Sequence, residues 1–476
     1  MEVSDRPAAI PCRLTAADRM IEAQVVWARP NSLVIAFKKG EDPPKTGAPF
    51  SEAALDLGGN WVPLGSCRFE SGDTMPRRRR EDPPSDVAIG RLVFKDRIYD
   101  FSGLLPRRAI SDLQQRVNNL PMAWNRRHAI SNEFRSFVAD LLFDLQVYRS
   151  VFEELDARLV GESPQTRTEL QALAREQEYP RFRTWFDERV LELERLTAKL
   201  SRPQQEQHGF YFRKQLRDFI LSSELLSRTN SKPRGYAGDS EVMRLIYAND
   251  FRGPTIFAQF MHKYPLELAA AQAVRNRRKL VGDLVRERMG RHTGEGPLRV
   301  LSVACGPTEE LHEILRSPED VQRVSFTLLD QDPEALGEAR AVVERMEKSL
   351  GVKLQAVTIC TSVRTMQQSD SPIEDSSFDL VYSMGLFDYL TDTTATAVLS
   401  WIYARLARGG ELVVGNFHAR NSSRVFMEYW ADWTLWYRTE GELLRLADAL
   451  PGAQSRISFE ESGCQIFLHI TKTSGR

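Results

Sequence analysis

Residues 300–311 read Val-Leu-Ser-Val-Ala-Cys-Gly-Pro-Thr-Glu-Glu-Leu: a short apolar strand, a turn of small residues and the start of a helix expected over 309–316. A strand, tight turn and helix in this order bring backbone N–H groups close to a bound ligand, as in the nucleotide-binding corner of a doubly wound sheet. The turn is Ala304-x-Gly306-x-Thr308 rather than three glycines. A second apolar strand over 324–329 ends in Asp330, a carboxylate at the strand tip placed to accept hydrogen bonds from both hydroxyls of a ribose.

The remaining chemistry is bounded by what is scarce. With 476 residues, roughly three domains are expected. Hydrophobic content of 42% and charged content of 27% describe an ordinary globular chain. Lys and Arg (64) balance Asp and Glu (65), so no overall field draws in nucleic acid or an anionic membrane. No N/D-P-P-Y/F tetrad points to nucleic-acid methylation either. The five cysteines (Cys12, Cys67, Cys305, Cys360, Cys464) are scattered without a C-x-x-C pair, which predicts reduced thiols and a cytoplasmic location. The seven histidines form no ligand pattern, so no metal is expected. No apolar run reaches about 18 residues, and the start is polar; no integral membrane segment or signal peptide is expected.

Three segments are expected to position the corner. Residues 1–103 carry short β runs, 24–29, 32–37, 61–64, 65–70 and 89–94, punctuated by Gly and Pro, the rhythm of a small barrel. Four arginines, Arg77 to Arg80, stand in a Pro-flanked stretch that reads either as a phosphate site or as a solvated loop. Residues 104–230 show helical periodicity. Over 131–159, Phe134, Phe137, Leu141, Leu145, Tyr148 and Phe152 share one stripe, and further helices are expected over 182–200 and 211–226. This layer reads as a lid or a homodimer surface. Residues 231–476 alternate strand and helix, with strands at 300–303, 324–329, 355–360, 378–383 and 411–416, then β segments at 456–460 and 464–471. A parallel sheet closed by an antiparallel hairpin strand gives the expected α/β architecture, with a Rossmann-like domain behind a helical region and an N-terminal β-barrel.

The corner, Asp330, Phe378-Asp379-Leu380-Val381-Tyr382-Ser383 and Leu406-Ala407-Arg408-Gly409-Gly410-Glu411-Leu412 together resemble class I S-adenosylmethionine-dependent methyltransferases. Lys232-Pro233-Arg234-Gly235-Tyr236-Ala237-Gly238-Asp239, Gly385-Leu386-Phe387-Asp388-Tyr389-Leu390 and Gly415-Asn416-Phe417-His418 resemble the bacterial 3-hydroxypalmitic acid methyl ester biosynthesis proteins over about 200–476. The N-terminal segment resembles a degenerate PilZ domain: neither the R-x-x-x-R nor the D/N-x-S-x-x-G element of that family is intact.

The resemblance implies S-adenosylmethionine as cofactor and a small-molecule acceptor, favoured as a fatty or hydroxy-fatty acyl carboxylate that leaves as its methyl ester. It implies that Ala304, Gly306 and Thr308 line the methionine and ribose, Asp330 holds the ribose diol, Gln331 borders the adenine, and Ser362 and Val363 touch its ring. Ser383, Met384 and Gly385 would sit near the sulfonium, with Phe387, Asp388 and Tyr389 on the substrate side. Arg275 reads as a partner for the cofactor carboxylate or as a surface arginine. Ser302 stands where many relatives carry an acid, so either Glu309 or Glu310 compensates or binding is weakened. A regulatory S-adenosylmethionine-binding protein with little turnover, its β domain sensing a ligand or partner, is the alternative.

Methyl transfer is an in-line displacement; the protein must align the reactants and exclude water. His418, just past the fifth strand, reads as a general base or as a histidine satisfied by the loop; Tyr236 and Asp239 lie in a Gly-punctuated loop able to close over the cofactor. Phe426, Tyr429, Trp430, Trp433, Trp436 and Tyr437 form an acyl pocket or plain core, with Tyr429, Trp433 and Tyr437 the substrate contacts in the first case; Arg424 and Arg438 flank them as partners for a carboxylate.

Overall fold

A computed structural model describes residues 10–16, 20–29, 32–37, 43–56, 61–71, 89–94, 129–362 and 373–473. The arginines 77–80, Val363 and the start of the helical segment, 104–128, lie outside the described residues. The chain divides into two compact units, Met1–His128 and Ala129–Arg476.

The first unit is a closed antiparallel barrel of β1 (Ile10–Thr15), β2 (Met20–Arg29), β3 (Ser32–Phe37), β4 (Pro49–Asp56), β5 (Trp61–Ser71) and β6 (Ile89–Val93), in the order β1-β2-β3-β6-β5-β4. The runs expected at 61–64 and 65–70 are one strand. Gly65, with φ of 86°, opposes Ala53 at a register shift, so the glycine makes a bulge rather than a turn. Leu14, Leu33, Ile35, Leu55, Phe69 and Leu92 fill the interior, each fully buried.

In the second unit, helix α1 (Asn132–Leu159) presents its predicted stripe inward, and Ser131 caps its start by accepting from Phe134 N. Helix α2 (Pro164–Thr197) begins well before the expected residue 182 and runs through Pro180. That proline lies on the exposed face, where the carbonyl it leaves unpaired meets water, while Tyr179, Phe182 and Phe186 stay buried. The helix expected over 211–226 is instead α3 (Arg202–Gln215), a single turn at Arg217–Ile220 and α4 (Glu224–Ser231). Ser223 makes the break by accepting from Leu226 N at 3.3 Å as a new N-cap. Then follow α5 (Ser240–Ala248), α6 (Ile256–Leu266) and α7 (Ala269–Arg291), which leads into the sheet.

The sheet comprises β7 (Leu298–Val303), β8 (Val324–Asp330), β9 (Gln355–Cys360), β10 (Phe378–Ser383), β11 (Leu406–Phe417), β12 (Ala453–Phe459) and β13 (Gln465–Lys472). Its order is β12-β13-β11-β10-β7-β8-β9; β13 runs antiparallel to both neighbours, and β7 to β11 are parallel. Helix α8 (Pro333–Leu350) and α7 cover one face, and α9 (Asp392–Arg405) the other. The strand order reverses between β7 and β10, and a crevice opens there at the carboxyl ends.

The helix expected over 309–316 is a single turn, Leu311–Ile314. Thr308 is left-handed (φ 53°), and the residue before Pro318, Ser317, is forced to extended geometry, so the segment ends between two backbone stops. Helix α10 (Arg424–Tyr429) is also short; the aromatic residues after Trp430 belong to an irregular excursion between β11 and β12.

Candidate functional site

After β7 the chain passes Ala304, Gly306 and Thr308, all with φ between 53° and 57°. This succession of left-handed residues curls the turn around the strand ends. Cys305 N donates to Leu329 O at 3.0 Å, and Gly306 N donates to the Asp330 carboxylate at 2.9 Å. The other Asp330 oxygen accepts from Asp332 N at 2.9 Å, which fixes the rotamer of the carboxylate. Burial pushes this carboxyl above the usual range, and the N–H bonds oppose the rise.

A cavity of about 370 Å³ lies against this turn. Its wall includes Ala304, Gly306, Asp330 and Gln331 on the nucleotide side, Thr361 past β9, and Met384 and Gly385 past β10. The loop between α4 and α5 roofs it through Arg234, Gly235, Tyr236 and Gly238. Arg234 pins this loop to the far wall by ion pairs to Asp332 at 3.0 Å, Glu334 at 3.0 Å and Glu338 at 3.1 Å, besides a hydrogen bond to Ser240. Asp239 has a different place: it is buried, caps α5 through Val242 N and pairs with Arg228 at 2.8 Å. Thr308 is buried with its hydroxyl on Pro307 O; Ser383 is buried and Ser362, next to Thr361, half-buried, and neither serine lines the cavity wall.

Arg275 is engaged elsewhere, donating to Ile246 O at 3.1 Å and Leu266 O at 2.8 Å. Arg277 faces the cavity instead. The signal for it was legible: Ala270, Ala273, Val274 and Val281 form the buried stripe of α7, and Arg277 falls on that stripe. Ser302 and Glu310 also line the wall, whereas Glu309 faces His312 and Arg345.

On the acceptor side, Tyr389 is 41% exposed, and its hydroxyl accepts from Trp433 Nε1 at 2.9 Å. No side chain fits at residue 238, since a Cβ there would lie 2.5 Å from the Trp433 ring and 2.6 Å from the Tyr389 hydroxyl. Tyr236 meets Tyr389 edge-on, with ring centroids 6.1 Å apart. Burial raises both phenols, so they remain protonated donors.

The other predicted substrate residues do not reach the cavity. Phe387 is in the core beneath the sheet, and Tyr429 packs between Phe134 and Phe212. Tyr437 lies under the Arg424 guanidinium, 4.6 Å from its ring centroid. Arg438 is consumed by Phe387 O, Leu390 O, Asn416 and Asp392. His418 lies outside the cavity as well; its ring meets Glu440 at 3.2 Å and the edge of Phe459, because its N–H stays on Cys464 O and carries β11 toward β13.

Asp388 is buried one residue before Tyr389 and accepts from Phe417 N at 2.6 Å. Burial raises its carboxyl from 3.8 to about 7, against the pull of that N–H and of Arg277 and Arg438. Folded protein therefore holds a proton that unfolded chain has lost, so this group's contribution to stability is complete below about pH 4 and is lost as pH rises through 7. Asp388→Asn is expected to flatten the fall in urea midpoint between pH 5 and pH 8; an unchanged slope would take Asp388 out of that dependence.

Among the described residues, no group of three or more His, Cys, Asp or Glu is arranged to hold a metal ion, and no helix is long and apolar enough to cross a membrane.

Residues 300–410 match the family model described as a methyltransferase domain. With the sheet order and the cavity at its switch point, the C-terminal part is a class I methyltransferase domain whose cofactor is S-adenosylmethionine. Among solved structures, the chain is similar to a "possible exported protein" from Bordetella parapertussis, at 17% identity over 66% of this chain and 100% of that one (TM-score 0.43). It is similar to magnesium protoporphyrin IX methyltransferase from Synechocystis PCC 6803 with bound SAH, at 13% identity over 43% and 87% (TM-score 0.33). An arsenic(III) S-adenosylmethionine methyltransferase from Chlamydomonas reinhardtii is similar at 23% identity over 37% and 64% (TM-score 0.28). No curated protein matches the chain.

Proposed function

We propose that this chain methylates the carboxylate of a fatty or hydroxy-fatty acid to give a methyl ester. The observation that supports this acceptor is the Tyr389 hydroxyl. It accepts a hydrogen bond from Trp433 Nε1, so its own proton is left to donate into the cavity wall it helps form. Tyr236, likewise protonated, lies beside it. Two neutral donors suit an anionic oxygen acceptor, and a carboxylate is ionised at neutral pH without a general base. Met243 and Leu386 on the same wall offer apolar contact to a hydrocarbon body.

S-adenosylmethionine, when bound, supplies a methyl group activated by its sulfonium. The protein's residues hold and orient. Asp330 would accept from the ribose hydroxyls, Gln331 and Thr361 would border the base, and the Met384–Gly385 backbone would stand at the reacting end. Tyr236 and Tyr389, under the pinned loop, keep water from the reaction.

The test is incubation of the full chain with methyl-labelled S-adenosylmethionine and a lipid extract of the source cells, followed by mass spectrometry. A labelled methyl ester of a long-chain acid is expected. Tyr389→Phe should raise KM for that acid about tenfold, roughly the value of one hydrogen bond to a charged group, with cofactor affinity kept. Label on an amine or phenol product would overturn the carboxylate reading.

A further inference from the structure

The roof of the cavity is held to the nucleotide side by charge. Its two ends belong to the helical layer. Lys232 closes α4 in the left-handed conformation (φ 47°), with its ammonium 2.6 Å from Asp432. Asp239 is buried, capping α5 and pairing with Arg228. Between these anchors the chain turns at Gly235 (φ 87°), where a Cβ would meet nothing within 4 Å. The middle of the span reaches α8 through Arg234, whose guanidinium bridges Asp332, Glu334 and Glu338 at 3.0–3.1 Å. The side chains of Arg234 and Asp332 are 13% and 10% exposed, but that of Glu334 is 71% exposed, so water and salt reach the cluster from one side. Asp332 also caps α8, and its own N–H fixes the Asp330 carboxylate.

Resting on the cofactor reading above, we infer that this ion cluster is a latch that sets how long the cofactor and its demethylated product stay bound: Arg234 releases α8 before either passes the roof. Pairing with three carboxylates offsets the cost of taking the four charged groups out of water, and the two contributions are of similar size. The closed state is therefore favoured by a small margin, which lets the latch open within a turnover. Opening returns all four groups to water and swings the span about Lys232 and Gly235, while the Arg228–Asp239 pair keeps its far end on α5. Opposite charges are separated in that step, so dissolved salt favours the open form. Without Arg234, three carboxylates crowd one rim and repel each other, and the ionic hold on the roof is gone.

The test is the release of labelled S-adenosylhomocysteine from the full chain after a chase with excess unlabelled compound. The wild-type release rate is expected to rise about threefold as sodium chloride goes from about 0.05 M to about 1 M. Arg234→Gln should release about tenfold faster, the scale of one lost hydrogen bond to a charged group, and respond little to salt. Arg234→Lys should fall between the two. Glu334→Gln, at the exposed corner of the cluster, should release about two- to threefold faster with a shallower salt response. Wild-type release indifferent to salt, or equal release by wild type and Arg234→Gln, would overturn the latch and leave the cofactor reading standing. Faster release that keeps the wild-type salt response would overturn it too, by showing a structural defect. If Arg234→Gln does not fold, Glu334→Gln decides: an unchanged release rate there overturns the latch. Failure of wild type to bind S-adenosylhomocysteine would overturn the cofactor reading and the latch with it.

Discussion

Trp430→Ala is expected to destabilise the second unit by about 3–5 kcal/mol, the range for removing a large aromatic side chain from a close-packed core. Trp430 is 1% exposed and sits where three elements meet. It stacks on Phe426 of α10 at 5.9 Å and meets Phe186 of α2 and Phe212 of α3, each at 5.0 Å. Its carbonyl accepts from Asn230 Nδ2 of α4 at 2.8 Å. Loss of the indole leaves a void that none of these rings can fill without leaving its rotamer. The urea midpoint reports the effect, with Trp436→Ala as the comparison: that side chain is 47% exposed, and its loss should cost less than about 1 kcal/mol. Equal effects of the two substitutions would show that Trp430 does not tie these helices together.

Asp330→Ala is expected to weaken S-adenosylhomocysteine by about 1–3 kcal/mol, since it removes a charged acceptor from the ribose and releases Gly306 N–H from the position it holds in the turn. Only the ionised carboxylate offers a charged acceptor on both oxygens, and burial has raised its pKa. Wild-type affinity should therefore fall as pH drops through the acid range, while the variant's affinity follows pH less steeply. Calorimetry at several pH values checks both statements. Affinity unchanged by the substitution would remove Asp330 from the site.

Strands were easier to read from the sequence than helices. The bounds of β9 and β10 follow directly from apolar runs ended by a change of polarity, and Asp330 lies at the tip of β8 as its run implied. Helix ends depended on local competition that hydrophobic period does not show: Ser223 breaks one expected helix by capping another, and Pro180 fails to break α2 because its face is exposed. The cavity wall shows the same division. Ala304, Gly306, Asp330, Gln331, Met384 and Gly385 lie there because backbone and strand direction alone bring them together. Arg275 and Arg277 differ by two residues, which on a helix is opposite sides, so the choice required reading the stripe rather than the charge. For His418, position at a strand end did not reveal the partner strand; β13 pairs with it and turns the ring toward Glu440. The aromatic run after β11 reads identically as pocket or core, and only the rings of α2 and α3, more than two hundred residues earlier in the chain, distinguish Trp430 from Trp433.

The rings that enclose Trp430 also bear on how this domain can be inherited. The apolar cluster that contains Phe134, Phe186 and Phe212 also contains Phe417, Phe426 and Trp433, so it has no internal seam at the entry to the cofactor fold. A recombination event that joined the chain from residue 231 onward to another protein would carry away half of that cluster with its complementary surface missing. Shuffling between lineages is then expected to move the helices and the sheet as a single heritable block, whereas exchanges within the surface-exposed positions of α1 and α2 leave the block intact.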